Sequence, residues 1–297
     1  MKLLITGAWQ QAKEYINVIE QMGHEVYFLQ NEKDALPCNP EEVEGVVCNG
    51  LFLSHPIEQF SNLKYIQLTS AGFDRVPMEY VKNHAIQIYN ARGVYSIPMA
   101  EFAITGVLDI YKKSRFFSEN QKKHKWDKHR GLMELHGKKV CIVGCGSVGN
   151  ECAKRFAAFG CHVTGVDLFL REDECYQKMV GLQELDTMLK ESDVVVLTLP
   201  LTEETQHLLN AERMKYLRDG AVLVNIARGA IVDTKALVLE MNRLGGAVLD
   251  VFEEEPLSAD DALWEMDNVI VTPHNSFVGE GNVERLSRLI LRNLKKH

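Results

Sequence analysis

Short apolar runs alternate with longer amphipathic stretches through residues 1–90. The runs are rich in Val, Ile and Leu, which is typical of strands buried on both faces of a parallel sheet. Between the first two runs, residues 11–22 repeat apolar side chains at helical spacing. Strands that alternate with helices predict a parallel sheet with helices on both faces. The strand candidates are Lys2–Thr6, Glu25–Leu29, Val43–Cys48, Lys64–Leu68 and Ile86–Tyr89.

A second series of apolar runs begins near residue 140 and predicts a second parallel sheet. Before it, Pro98 suits the first turn of a helix and Ser96 can cap it, so we expect a helix from Met99 to about Phe117. The last amphipathic stretch, Val283–Leu294, is too short to form a domain by itself. It is expected to pack on the domain formed by the first series of strands. The strand candidates of this series are Val140–Val143, His162–Val166, Val194–Leu199, Ala221–Asn225, Ala247–Asp250 and Val269–Thr272.

The first strand of the second series leads into a glycine-rich turn, GCGSVG, at 144–149. Gly144 permits a tight turn, Gly146 lets the backbone approach a pyrophosphate, and Gly149 allows a helix to pack closely on a strand. The helix predicted over residues 147–159 would point its N-terminal N–H groups at the phosphates. Asp167 ends the next strand, at the spacing where an acid meets ribose hydroxyls. Strand, turn, helix and acid in this order predict a dinucleotide site.

Asp167 also indicates which dinucleotide binds. Its carboxylate would accept hydrogen bonds from a 2′-hydroxyl and would repel a 2′-phosphate. The next three residues carry no positive charge, although Arg171 is near. The sequence therefore favours NAD over NADP.

Length and charge limit the class of protein. A chain of 297 residues exceeds most single cores, so two domains are expected. A formal net charge of −8 argues against a nucleic-acid partner or an anionic membrane surface. The one basic run, residues 122–130, is interpreted as a solvated arm because it stands alone in an acidic chain. No run is long enough for a transmembrane helix, and the first is too short for a signal peptide.

The cysteines predict the compartment. Seven are present, with no C-x-x-C pair and no zinc spacing, so we expect neither a metal site nor a disulfide framework. Free cysteines inside predicted strands and helices suit a reducing cytosol, which predicts a cytoplasmic protein.

Polar residues that follow three strands of the second series are candidates for chemistry. Arg228 comes shortly after Asn225, and His274 shortly after Thr272. Both should lie at the carboxyl edge of the sheet, where ligands of open α/β sheets bind. A guanidinium can grip a carboxylate in two places, and an imidazole suits proton transfer at neutral pH. Three acids at 253–255 follow another strand, and charge alone does not say which would orient the imidazole.

Five ordered motifs extend through the second half of the chain: GCGSVG with Asp167, LTLPLTEETQHLLN (197–210), NIARGAIVD (225–233), LDVFEEEPL (249–257) and VTPHNS (271–276). Together they resemble the NAD-dependent D-isomer-specific 2-hydroxyacid dehydrogenases. The resemblance implies an α/β fold with two doubly wound parallel sheets. A Rossmann dinucleotide-binding domain, residues 97–274, would be inserted in a flavodoxin-like substrate domain, residues 1–96 plus 275–297.

The resemblance also implies the site residues. The catalytic trio would be Arg228, Glu255 and His274. Glu255 is chosen over the two neighbouring acids because the family's glutamate stands immediately before a proline. The substrate carboxylate would bind Arg228 and backbone N–H groups of a loop in the first domain. That loop contains Ser70, Ala71 and Gly72. The implied cofactor contacts are Gly144, Gly146, Ser147, Val148, Gly149, Asp167, Thr198, Pro200, Ala227 and Asp250.

The implied activity is hydride transfer between NAD(H) and C2 of a small D-2-hydroxy acid or 2-oxo acid. His274 would act as acid and base, Glu255 would support it, and Arg228 would orient the substrate. Glyoxylate, hydroxypyruvate, 3-phosphoglycerate and larger 2-oxo acids all remain open. A homodimer through the cofactor domain is expected, using the region around Met99–Arg130. The alternative function is an NAD(H)-sensing binding protein, like the corepressors that share this fold.

Overall fold

The computed structural model describes residues 1–297, which fold as two compact units. The first unit comprises Met1–Tyr95 and Gly279–His297, and the second comprises Ser96–Val278. Each unit holds one sheet in which every strand pairing is parallel. The predicted α/β class with two doubly wound parallel sheets is therefore confirmed.

Twelve strands and nine helices make up the two units. The strands are β1 (Lys2–Thr6), β2 (Glu25–Leu29), β3 (Gly45–Cys48), β4 (Tyr65–Leu68), β5 (Gln87–Tyr89), β6 (Lys139–Val143), β7 (His162–Val166), β8 (Lys178–Val180), β9 (Val194–Leu197), β10 (Val222–Asn225), β11 (Gly246–Leu249) and β12 (Val269–Val271). The helices are α1 (Ala12–Gln21), α2 (Met78–Asn83), α3 (Ser96–Tyr111), α4 (Ser114–Lys122), α5 (Ser147–Ala158), α6 (Leu185–Glu191), α7 (Ala211–Met214), α8 (Thr234–Glu240) and α9 (Asn282–Leu294). None of these helices combines the length and the apolar character that a membrane span requires.

The sheet of the first unit has the strand order β2-β1-β3-β4-β5. Its central strands are buried on both faces, which explains why their sequences are continuous apolar runs. Helix α9 covers one face, where Leu286, Ile290 and Leu294 pack in the same apolar cluster as Leu3 and Ile5. The expected return of the C-terminal helix to this sheet is thus observed.

The sheet of the second unit has the order β12-β11-β10-β9-β6-β7-β8. The chain leaves β6 toward one edge and resumes at β9 on the other side, so the strand order reverses between these two strands. In doubly wound folds, ligands bind at the carboxyl ends of the strands beside such a reversal. Edge strand β8 was not predicted, because three residues with one buried side chain give little apolar signal.

The helix predicted from Met99 to Phe117 is wrong, since the segment forms two helices, α3 and α4. Lys113 separates them in a left-handed conformation with φ of 54°. Eight of the sixteen residues of α3 are buried, whereas none of α4 is. The chain also returns at Met133, whose N–H donates to the carbonyl of Tyr111 at 3.0 Å. A donor that is distant in sequence thus satisfies a carbonyl at the end of α3, which favours ending the helix there.

Candidate active site

The glycine turn between β6 and α5 shows three different constraints. Gly144 has a φ of 94°, and a β-carbon there would lie 2.6 Å from the Leu199 nitrogen. A β-carbon at Gly149 would lie 2.2 Å from the Gly144 oxygen. At Gly146 a β-carbon would meet no atom within 4 Å. Two glycines are therefore required by the protein itself, and the third leaves the open approach that a pyrophosphate needs at a helix N-terminus.

Asp167 lies at the end of β7 and is bonded to the glycine turn. Its Oδ2 accepts a hydrogen bond from the Cys145 N–H at 2.6 Å, and its Oδ1 accepts one from the Phe169 N–H at 2.9 Å. The acid that was predicted to meet the ribose thus also holds the turn that would receive the pyrophosphate.

Arg171 reaches the same turn, which the sequence did not predict. Its Nη2 donates to the Cys145 carbonyl at 2.7 Å and to Asn150 Oδ1 at 2.8 Å. Asp173 accepts a longer contact from the same nitrogen, at 3.3 Å. The peptide groups at Cys145 are consequently held from both sides, by a carboxylate at the N–H and by a guanidinium at the carbonyl.

The other predicted cofactor residues lie along the same carboxyl edge. Thr198 follows β9 and donates to the Gly144 carbonyl at 2.5 Å, which places its hydroxyl against the turn. Exposed Pro200 lies two residues farther on. Ser147 and Val148 form the first turn of α5. Ala227 and Asp250, which follow β10 and β11, complete the predicted set.

Arg228 lies on a tight turn after β10. The side chain of Asn225, which is 1% exposed, donates to the Arg228 carbonyl at 3.0 Å and accepts from the Ala227 N–H at 3.1 Å. A β-carbon at Gly229 would lie 1.8 Å from the carbonyl carbon of Phe252. The turn that carries Arg228 is therefore in direct backbone contact with the loop that leads to Glu255.

Glu255 and His274 form a hydrogen-bonded pair. Oε2 of Glu255 lies 2.9 Å from Nδ1 of His274, and Oε1 accepts from the Phe252 N–H at 3.0 Å. An ionised carboxylate can only accept, so Nδ1 carries the proton in this contact. Nε2 remains as the ring nitrogen for exchange with a ligand.

His274 has an unusual backbone, with φ of 50°. For a residue with a side chain, such a conformation costs about 1–3 kcal/mol and persists only where its surroundings enforce it. Here the buried carboxylate of Asp250 accepts from the Thr272 hydroxyl at 2.7 Å and from the N–H groups of Asn275 and Ser276 at 2.7 and 2.9 Å. Asp250, predicted as a cofactor contact, therefore also shapes the loop that presents His274.

The structure separates the three acids that charge alone left unresolved. Glu253 bonds to Nε2 of His207 at 2.6 Å and accepts from the Thr234 N–H at 2.9 Å. Burial raises the pKa of Glu253, but the bonds from Thr234 and His207 lower it more, and the pKa lies below its usual value. Glu254 is exposed. Of the three acids, Glu255 is the one hydrogen-bonded to His274.

The predicted substrate loop lies in the first unit, directly after β4. Its start is fixed by the Thr69 N–H, which donates to the Cys48 carbonyl at 2.9 Å. Ala71 is exposed, and Ser70 and Gly72 are half-buried. The loop therefore presents backbone rather than large side chains at this strand end.

Residues 104–276 match the family model for the D-isomer specific 2-hydroxyacid dehydrogenase, NAD binding domain. A glyoxylate reductase from Thermofilum pendens is 35% identical over 241 residues, which are 78% of this chain and 71% of the relative. A D-3-phosphoglycerate dehydrogenase from Archaeoglobus fulgidus is 36% identical over 221 residues, which are 73% of this chain and 42% of the relative.

The fold is similar to that of solved proteins over nearly its full length. The crystal structure of a D-isomer specific 2-hydroxyacid dehydrogenase from Xanthobacter autotrophicus Py2, in complex with NADPH and MES, has a TM-score of 0.81 at 29% identity. The match covers 99% of this chain and 94% of that chain. The similarity therefore extends over both units and is not confined to the glycine turn.

Proposed function

The chain belongs to the D-isomer specific 2-hydroxyacid dehydrogenase family, and we propose that it transfers a hydride between NAD(H) and C2 of a small D-2-hydroxy acid or 2-oxo acid. Family membership makes it an oxidoreductase with a NAD-binding domain. The finer proposal is carried by one observation, the contact of His274 Nδ1 with Glu255 Oε2 at 2.9 Å. The loop that leads to Glu255 is in backbone contact, at Gly229, with the turn that carries Arg228.

The proposed roles follow from the chemistry of the three side chains. When bound, the nicotinamide supplies or accepts the hydride. Arg228 grips the substrate carboxylate and polarises the neighbouring carbonyl. His274 gives a proton from Nε2 to the carbonyl oxygen during reduction and takes it back during oxidation. Glu255 holds the imidazole by its Nδ1–H, so that Nε2 is the nitrogen that exchanges the proton.

We propose NAD rather than NADP as the cofactor. The residues that would hold it are those of the glycine turn and the carboxyl edge: Gly144, Gly146, Ser147, Val148, Gly149, Asp167, Thr198, Pro200, Ala227 and Asp250. The Asp167 carboxylate would repel a 2′-phosphate, and the nearby Arg171 is already bonded to Cys145, Asn150 and Asp173. NADH should therefore be used with a higher kcat/KM than NADPH.

The substrate class we propose is the small 2-oxo acids. The substrate carboxylate would bind the backbone N–H groups of Ser70, Ala71 and Gly72. Glyoxylate is the first candidate, because a glyoxylate reductase is among the similar proteins. The similarity to a D-3-phosphoglycerate dehydrogenase makes the phosphorylated three-carbon acid the second.

We also propose a cytoplasmic homodimer. All seven cysteines are free thiols, which suits a reducing compartment. Trp126 is 94% exposed in the basic arm that follows α4. A tryptophan so placed suits an interface anchor, and the second unit would supply the dimer contact.

The test is NADH oxidation by the purified protein with glyoxylate, hydroxypyruvate and 3-phosphohydroxypyruvate. We expect at least one acid to be reduced. His274→Ala and Glu255→Gln should each lower kcat by about 100-fold or more, because the first variant removes the group that transfers the proton and the second removes the carboxylate that orients it. His162→Ala and Glu254→Gln are the matched controls, since both side chains are exposed and outside the site.

NADH binding should change less than threefold in all four variants. Full turnover by His274→Ala would refute the assignment of the acid. Tight NADH binding with no turnover of any acid would instead favour the NAD(H)-sensing alternative.

A further inference from the structure

The loop after β4 has every carbonyl oxygen from Thr69 to Gly72 held by a donor within the first unit. Two of the donors are side chains that the proposed function has not used, Asn90 and Tyr95. The bonds run from the Tyr95 hydroxyl to the Thr69 oxygen, from the Ala91 N–H to the Ser70 oxygen at 2.8 Å, from Asn90 Nδ2 to the Ala71 oxygen at 2.5 Å, and from the Ser70 hydroxyl to the Gly72 oxygen at 3.0 Å.

Holding these carbonyls fixes the direction of the N–H groups. In a planar trans peptide the C=O of one residue and the N–H of the next point in opposite directions. Because these four carbonyls are hydrogen-bonded, the N–H groups of residues 70–73 point away from the groups that donate to the carbonyls. None of these four N–H groups donates a hydrogen bond within the protein. Successive backbone N–H groups in a turn conformation form anion-binding concavities, and this loop leaves four of them without an acceptor in the protein.

We propose that Asn90 and Tyr95 are positioning residues of the substrate carboxylate site. Asn90 orients the N–H of Gly72 by holding the Ala71 carbonyl, and Tyr95 orients the N–H of Ser70 by holding the Thr69 carbonyl. The inference rests on the proposed function, because it takes the carboxylate of a 2-oxo acid as the anion.

The environment of Asn90 suits this role. Its Oδ1 accepts from the Arg92 N–H at 3.2 Å, and its Nδ2 donates to Ala71. The two bonds have opposite polarity, so the amide has one favourable orientation and Nδ2 faces the loop. Without this donor the Ala71 peptide can rotate and present its carbonyl oxygen to the anion, which is repulsive.

The Tyr95 hydroxyl is the donor in its bond to Thr69, because a carbonyl oxygen can only accept. Burial raises the pKa of Tyr95 further above neutral pH. A phenylalanine at this position would fill nearly the same space and remove the hydroxyl that donates to Thr69. Tyr95→Phe is therefore a test that does not depend on a large change in packing.

The experiment measures the affinity of NADH-saturated protein for oxamate by calorimetry. Oxamate carries the carboxylate and adjacent carbonyl of a 2-oxo acid but is not reduced. The variants are Asn90→Ala and Tyr95→Phe. The matched controls are Asn62→Ala, which removes an amide bond to the Glu41 carbonyl, and Tyr27→Phe, which removes a hydroxyl bond to Glu25.

We expect the Kd of oxamate to rise about tenfold in Asn90→Ala and in Tyr95→Phe, and less than about twofold in the two controls. With glyoxylate as substrate, KM should rise by a similar factor, while kcat and the Kd of NADH stay within about twofold of wild type. A purely structural role would lower kcat, NADH affinity and the unfolding temperature together.

Unchanged oxamate affinity in both variants would overturn the inference, and so would a wild-type protein that does not bind oxamate. A fall in NADH affinity equal to the fall in oxamate affinity would also overturn it. Wild-type protein that binds oxamate but reduces no acid would refute the proposed function alone. In that case the two variants would still decide the positioning role by binding.

Discussion

At the scale of single residues, the glycine turn separates what the fold requires from what a ligand requires. Gly149 leaves no room for a side chain, because its β-carbon would lie 2.2 Å from the Gly144 oxygen. Gly146 has room for one, and its φ of −76° is open to any residue. The sequence motif does not distinguish these glycines, whereas the structure shows a different reason for each.

Alanine at Gly146 should therefore affect NADH binding, whereas alanine at Gly149 should affect stability. Gly146→Ala should leave the free energy of unfolding within about 0.5 kcal/mol of wild type and weaken NADH binding by tenfold or more, on the order of the loss of a close phosphate contact. Gly149→Ala should lower the free energy of unfolding by about 1–3 kcal/mol, because the turn must shift to avoid overpacking. Chemical denaturation and NADH fluorescence titration measure the two quantities. Wild-type NADH affinity in Gly146→Ala would show that no pyrophosphate approaches there.

At the scale of elements, the interruption between α3 and α4 has a measurable cost. Lys113 adopts a left-handed conformation that costs a residue with a side chain about 1 kcal/mol more than it costs glycine. Lys113→Gly should consequently raise the free energy of unfolding by about 0.5–1 kcal/mol. The control is Lys122→Gly, because Lys122 is exposed and helical, and glycine there should lower stability by a similar amount. Denaturant midpoints of both variants test this, and a loss of stability in Lys113→Gly would contradict it.

The sequence predicted elements well where the signal is local. Strands β1 and β7 match their predicted bounds to the residue. In β1 the continuous apolar run reflects burial on both faces. The break at Lys113 could not be predicted, because it depends on Met133, which is distant in sequence. The same holds in the site. The positions of Arg228 and His274 follow from strand ends, whereas the role of Asp250 in shaping the His274 loop and the contact of Arg171 with the glycine turn depend on three-dimensional packing.

At the scale of the whole molecule, the buried thiols and phenols predict how stability depends on pH. Burial raises the pKa of Cys145 to about 11 and those of Cys141 and Cys152 to about 12. Burial also raises the pKa values of Tyr65 and Tyr111. The fold thus favours the protonated, neutral forms. In the unfolded chain the thiols ionise from about pH 9, so there the unfolded state binds fewer protons and stability falls as pH rises.

The unfolding temperature should accordingly decline from about pH 9 upward, and the decline should level off only near pH 11 to 12, where the folded thiols ionise as well. Differential scanning calorimetry between pH 7 and pH 10.5 measures this decline. In Cys152→Ser the slope above pH 9 should be shallower, because the hydroxyl does not ionise in this range. An unfolding temperature that is constant up to pH 10.5 would contradict the prediction.

The bond between the Asp167 carboxylate and the Cys145 N–H limits how the cofactor preference of this protein can be redesigned. A usual redesign toward NADP replaces the acid at this position with a small neutral residue, to remove its repulsion of the 2′-phosphate. Here that replacement would also release the Gly144–Cys145 peptide, while the next peptide, Cys145–Gly146, would keep its bond from Arg171. A variant selected for NADPH would therefore start from a loosened turn. A second substitution that restores an acceptor for the Cys145 N–H would be needed before the new preference gave full affinity.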